Sequence, residues 1–271
     1  MRVKRKILRD SSRIFSNAYH DYMYRNALRK GDILLNIGAG NWHCKGWTNL
    51  DYPSEWYAKA QSHHEFIPYD IRNDRIPFEA DTVKAVYCSH VIEHIENRFI
   101  EPFFAEVHRV LKPGGVFRIA CPDAEFLYEV SIFNNEYWYW REEWLNSPHF
   151  SKHPISATQV DHLVRETATP KFPEYINSIE SNREEYTEKF SSLGMNEFLE
   201  YITSGLEYRK TTPGDHINFW TFEKVKIFLK NSGFKTIIRS KYLGSVCRAM
   251  CNPARFDTTF PNMSLYVEAV K

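Results

Sequence analysis

The sequence predicts an α/β fold: a doubly wound, seven-stranded mixed sheet interrupted after its fifth strand by a mostly helical insertion. Three observations lead there. Short apolar runs of strand length recur from Asp32 to Ala120, separated by turn residues and by one amphipathic helical stretch. About ninety residues, rich in helix formers and aromatics, then separate Asp123 from the next helix pattern near Thr221. The chain closes with that helix and two further strand patterns, and a final strand returning beside its predecessor makes the sheet mixed.

The elements follow in order. Asp32-Ile-Leu-Leu-Asn-Ile is an apolar strand that runs into Gly38-Ala-Gly40. Gly38 and Gly40 can take positive φ and carry no Cβ, so the backbone can turn sharply and touch a ligand. A second strand ends at Asp51, whose carboxylate is placed to accept ribose hydroxyls. A dinucleotide site is disfavoured, because the third glycine of G-x-G-x-x-G is replaced by His43 and Asp51 follows too soon for a full helix plus a strand. A ribose-bearing ligand without a pyrophosphate fits better. Glu65 to Asp70 reads as a third strand and Thr82 to Cys88 as a fourth, followed by Ser89-His-Val-Ile-Glu-His94. Apolar residues at Phe103, Phe104, Val107, Val110 and Leu111 mark the amphipathic helix. Lys112-Pro-Gly-Gly115 then turns the chain into a fifth strand, Val116 to Ala120.

The insertion spans 124–215. It emerges at the carboxyl edge of the sheet, where open α/β folds bind ligands, and is expected to cap the acceptor pocket. Its aromatics, Tyr137 to Trp140, Trp144, Phe150, Tyr175 and Phe198, are expected to form the core of this cap or a stacking platform. Gly244 to Pro261 offers a second wall. The last helix lies within Phe219–Phe234 with a glycine cap, and Lys235 to Ser240 and Leu265 to Ala269 are the closing strands.

The series LLNIGAG, NLD, YDI, SHVIEHI and EVHRVLKPGGVFRIACPD resembles the motif set of class I S-adenosylmethionine (SAM)-dependent methyltransferases, a Rossmann-like class, and in particular the family whose fourth-strand motif ends in a "LEH"-type helix start. The resemblance covers 31–123, with an echo in the closing helix and strands. It implies SAM as cofactor. Gly38, Ala39 and Gly40 would line its methionine and ribose, Asp51 would bind the ribose, Asp70 and Ile71 would border the adenine, and Ser89 and His90 would flank the sulfonium. Two departures stand out: Asn36 occupies a position that is often acidic, and Asn41 to Trp47 is too short for the usual first helix, so a loop is expected there.

Methyl transfer also calls for a group to take the acceptor's proton, and His216, His94 and Asp123 are the candidate catalytic residues, with His90 as a further candidate. His90-Val-Ile-Glu-His94 matches the H-x-x-E-H pattern of zinc proteases, but its place directly after a core strand argues against that reading. Some methyltransferases of this fold hold a divalent ion on a Glu-His pair, which here would be Glu93 and His94 with His216 or an insertion histidine. The expectation for this chain is no metal.

Charge narrows the partners. The chain has 35 basic and 34 acidic residues, so it lacks a global polyanion-binding surplus. A basic N-terminal helical segment, 1–30, could make weak peripheral membrane contact, whereas the acidic insertion disfavours nucleic acid. No apolar run reaches membrane-span length and no signal-peptide core is visible, so a cytoplasmic location is expected. Five cysteines fit free thiols in a reducing compartment. The expected acceptor is a small molecule or a glycan precursor, methylated on oxygen or nitrogen. The alternatives are an RNA methyltransferase or a non-catalytic partner subunit of the same fold.

Overall fold

The computed structural model describes residues 29–133, 136–145, 157–172 and 183–271. The basic segment expected over 1–30 lies almost wholly outside these residues, as do Phe150 and Tyr175.

Seven strands form one sheet: β1 Ile33–Ile37, β2 Thr48–Asp51, β3 Ile67–Pro68, β4 Val83–Ser89, β5 Leu111–Pro122, β6 Thr236–Arg239 and β7 Ser264–Val270. Their order is β3-β2-β1-β4-β5-β7-β6, with β7 antiparallel to both of its neighbours and the other pairings parallel. The chain moves outward from β1 in one direction through β2 and β3 and in the other through β4 and β5. That reversal opens a crevice beyond the carboxyl ends of β1 and β4.

Helix α1, Ala58–Gln61, follows β2, and α2, Asn97–Val110, precedes β5. The expected amphipathic face of α2 buries Ile100, Phe103, Phe104, Val107 and Val110 against Phe117 and the closing helix. Each of these large side chains contributes about 1.5–3 kcal/mol by leaving water. The opposite face of the sheet, carrying Leu34, Ala85, Tyr87 and Val116, is covered among the described residues by loops. Trp42, Trp47 and Phe256 pack there with ring centroids 5.2–5.8 Å apart. As expected, no helix lies between β1 and β2.

The structure differs from the sequence reading in three places. Strand β5 begins at Leu111 and absorbs the Lys-Pro-Gly-Gly turn, with Gly114 at φ +75° and a register shift opposite Val83 to Ala85. Strand β3 shrinks to two residues because Asp70 leaves the ladder to bind its own downstream loop. The segment Ile92–His94, where the resemblance implied a helix start, is a single 3-10 turn, and the helix begins at Asn97.

Within 124–215 lie α3 Ala124–Phe133, α4 Tyr139–Leu145, α5 Gln159–Thr167, α6 Arg183–Ser192 and α7 Met195–Thr203. They share a core of their own, including Leu127, Trp138, Leu163, Val164, Phe198 and Ile202. Trp138 is fully buried and stacks on His162 at 5.2 Å, so it serves this core rather than a ligand. Helix α5 starts at a capping box in which Thr158 and Asp161 exchange bonds. The two ends of the segment meet where the Ala124 N–H donates to the Trp220 carbonyl at 3.0 Å. The closing helix α8, Phe222–Asn231, follows at once, N-capped by Thr221 and ended by Gly233 at φ +99°.

Candidate active site

A cleft of about 280 Å³ occupies the crevice at the carboxyl ends of β1, β2 and β4. Gly38, Ala39, Gly40, Asp51, Asp70, Ile71, Ser89 and His90 all line it, so the sequence-derived cofactor set converges on one place. The two glycines do different jobs. Gly38, at φ +72°, donates its N–H to the Leu50 carbonyl, and a Cβ there would lie 2.2 Å from Val91 Cγ2. A Cβ on Gly40, at φ +55°, would meet nothing within 4 Å. Open space over a cleft-lining backbone is what a ligand pressed against the chain requires. Ser89 Oγ and the Tyr69 hydroxyl are buried without hydrogen-bond partners among the described residues and also border the cleft, so they offer polar contacts to an occupant. The residues therefore fit SAM.

Asp51 proves to be a structural hub of the cleft wall. Its Oδ2 accepts the Gly40 N–H at 2.9 Å and Gln61 Nε2 at 3.1 Å, and its Oδ1 accepts the Tyr52 N–H at 2.9 Å. Burial raises its carboxyl pKa despite these bonds. A carboxylate offers about four acceptor positions, so roughly one remains for a ribose hydroxyl unless Gln61 moves. Asp70 is committed to Arg72 at 2.8 and 3.0 Å and to Asn73; burial works against its anion, but these bonds outweigh that and lower its pKa. It shapes the cleft wall rather than offering a free carboxylate. Asn36 donates to Asn49 Oδ1, and Asn49 donates to the Trp42 carbonyl, an amide chain that fixes the loop replacing the usual first helix.

His90 ends β4 at φ +54°, a left-handed conformation uncommon outside glycine and one that aims its ring across the sheet end. Its Nε2 lies 2.8 Å from Ser264 Oγ and its Nδ1 lies 3.1 Å from Glu93 Oε1. Glu93 is 1% exposed. Burial alone would raise its pKa, but the His90 contact and the nearby imidazoles of His94 and His216 hold it at about 2.

His94 lines the cleft, with Nδ1 2.8 Å from the Asp215 carbonyl oxygen. His216 stands just behind it, ring centroids 4.9 Å apart, with Nδ1 2.6 Å from the Glu166 carbonyl oxygen. Burial and the neighbouring His94 push its pKa down to about 4. Asp123 is not brought to this place. It caps α3 through the Phe126 N–H and pairs with Arg239 at 3.2 Å on a separate surface, so its expected catalytic role is withdrawn.

Several wall residues were not singled out in the sequence. Tyr208 and Pro213, at the end of the insertion, close over the cleft, and Arg72 stacks on the Tyr208 ring at 3.7 Å. Tyr57 lines the same side; burial and the Asp51 charge raise its hydroxyl pKa to about 12. Thr258 and Thr259 come from the stretch expected to supply a second wall. They follow Asp257, which pairs with the fully buried Arg118 at 2.5 Å, while Arg118 also meets Glu268 at 3.1 Å. The sequence signal was a lone arginine inside an apolar strand, which needs a buried counter-charge.

Parts of the chain are similar to known proteins. Residues 40–119 match the family described as "Methyltransferase domain". The sterol 24-C-methyltransferase of Saccharomyces cerevisiae is 26% identical over 117 residues, a match covering 37% of this chain and 30% of that enzyme's length. Among solved structures, a SAM-dependent methyltransferase from Mesorhizobium loti is 16% identical with a TM-score of 0.42, covering 92% of this chain and 95% of its own. The complex of the Haloferax volcanii Trm112 methyltransferase activator with a putative methyltransferase contains a chain 15% identical at TM-score 0.42, covering 96% of this chain and 90% of its own. The likeness to a methyltransferase domain is therefore carried by residues 40–119, and the matched segment spans less than a third of the yeast enzyme's length.

Proposed function

We infer that this SAM-dependent methyltransferase domain methylates an oxygen or nitrogen of a small or carrier-linked polar acceptor, a sugar being the preferred class, and that it works in the cytoplasm. The observation that carries the reading is the convergence of Gly38 to Gly40, Asp51, Ser89 and His90 on one cleft whose far side is roofed by the insertion through Tyr208 and Pro213. Bound there, SAM supplies an electrophilic methyl on a sulfonium. The residues of the chain hold and orient it: Gly40 leaves room for it, Asp51 accepts from its ribose, and Ser89 and His90 flank the reacting end.

The acceptor enters beside His94, with His216 behind it, and its proton leaves toward that corner. Residues 125–215 carry sixteen acidic against eight basic side chains, which favours a small acceptor over RNA. A non-catalytic partner subunit is favoured only by Asn36, whose amide is spent on Asn49.

The test is transfer of labelled methyl from SAM to nucleotide sugars, lipid-linked sugars and bulk tRNA. Label in a sugar fraction, lost in Asp51→Ala, is the expected result. Label in tRNA alone would replace the acceptor assignment, and saturable SAM binding with transfer to nothing until a second protein is added would favour the subunit reading.

A further inference from the structure

We propose that Glu93, His94 and His216 form a binding site for one divalent first-row transition-metal ion at the acceptor end of the cleft. Their ligand atoms lie within 4.8 Å of one another. Metal bonds of about 2.0–2.2 Å require these atoms to move somewhat closer together.

The two imidazoles are already set for this. In each, Nδ1 faces a backbone carbonyl, Asp215 at 2.8 Å and Glu166 at 2.6 Å, and a carbonyl can only accept. Nδ1 therefore carries the proton, and Nε2 is left with an unshared pair and no hydrogen bond among the described residues. A metal-bound histidine has this arrangement, its other ring nitrogen donating to a carbonyl that fixes the tautomer.

The carboxylate supplies an independent sign. Glu93 is 1% exposed, and among the described residues neither of its oxygens has an aligned hydrogen bond; His90 Nδ1 comes to 3.1 Å of Oε1 without hydrogen-bond alignment. A buried carboxylate left so is costly, and a cation between it and two imidazole lone pairs would satisfy it. The backbone joins the two halves of the set. The Glu93 carbonyl accepts the Ile217 N–H at 2.9 Å and the Asn218 N–H at 3.1 Å, so the segments bearing His94 and His216 are held together without the ion.

Two imidazoles and one carboxylate suit zinc, manganese or iron(II) better than magnesium or calcium, which prefer all-oxygen sets. Three protein ligands leave positions open, and His94 lies on the cleft wall, which puts the ion next to the acceptor end of the cleft. Resting on the methyltransferase reading, the ion would select acceptors that present an oxygen able to enter its coordination shell.

The experiment uses the full chain, stripped with a chelator and titrated with Co(II) alone. It follows visible absorption and bound metal per chain, with S-adenosylhomocysteine (SAH) binding measured in parallel. One ion per chain is expected, with affinity lowered at least tenfold in Glu93→Gln, His94→Ala and His216→Ala and unchanged in His63→Ala, an exposed control. Should Glu93→Gln fail to fold, the wild type and His216→Ala, checked by thermal melting, decide the matter. No saturable Co(II) binding to wild type, or binding unaffected by His216→Ala, overturns the site. SAH binding without metal binding refutes only the metal site, and metal binding without SAH binding refutes only the methyltransferase reading.

Discussion

Replacing Asp51 is the sharpest test of the cofactor pocket. Three donors converge on its carboxylate, the Gly40 and Tyr52 N–H groups at 2.9 Å and Gln61 Nε2 at 3.1 Å, leaving about one acceptor position for a ribose hydroxyl. A hydrogen bond to a charged group contributes about 1.5–3 kcal/mol, so Asp51→Ala should weaken SAH by about 10- to 150-fold. The same change strands the Gly40 and Tyr52 N–H groups and should lower unfolding stability by about 1–3 kcal/mol. Asp51→Asn keeps one acceptor oxygen and should fall between. Calorimetric titration of SAH, beside urea unfolding of each variant, measures both effects. An Asp51→Ala protein that melts cooperatively and binds SAH within twofold of wild type would refute the pocket assignment.

The two cleft glycines should separate fold from binding. Gly38→Ala, whose Cβ would meet Val91 at 2.2 Å, should melt markedly lower, whereas Gly40→Ala should cost about 1–2 kcal/mol for its positive φ and abolish SAH binding in a folded protein. Thermal melts with and without SAH read both. Asp257→Ala leaves the fully buried Arg118 guanidinium short of its partner and should cost about 3–5 kcal/mol in urea unfolding, with weaker SAH binding as Thr258 and Thr259 shift. Burial pushes Lys224 down to about 7 from 10.5, against the opposing pull of Glu200 and Cys121. The folded state then binds fewer protons than the unfolded chain between those values, so this residue's contribution to stability should rise with pH from about 7 toward 10.5. Urea unfolding at several pH values should show that slope in the difference between wild type and Lys224→Met, and parallel curves for the two proteins would refute it.

The part of the site written in consecutive residues was legible in the sequence. The Gly38 to Gly40 turn and the strand-ending Asp51 declare themselves because backbone conformation and strand length act locally. The remainder depends on contacts between distant segments. His94 and His216 each looked like a candidate, yet their pairing rests on backbone bonds from Ile217 and Asn218 to Glu93, which no local pattern encodes. Asp123 misled for a related reason. A carboxylate at a strand exit resembles a catalytic group until Arg239, over a hundred residues later, is seen beside it. Tyr208 was hidden because its role comes from stacking on Arg72, a contact between the insertion and the loop after β3.

The meeting of Ala124 with Trp220 means that the long excursion between them leaves the sheet and rejoins it through a single doorway. Its length therefore places little demand on the strands around it, and the part before Tyr208 can vary without touching the wall that Tyr208 and Pro213 give the nucleoside pocket. A graft exchanging 125–207 between chains of this architecture, leaving Tyr208 and the residues after it in place, would keep the wall of the nucleoside pocket and rewrite the choice of recipient.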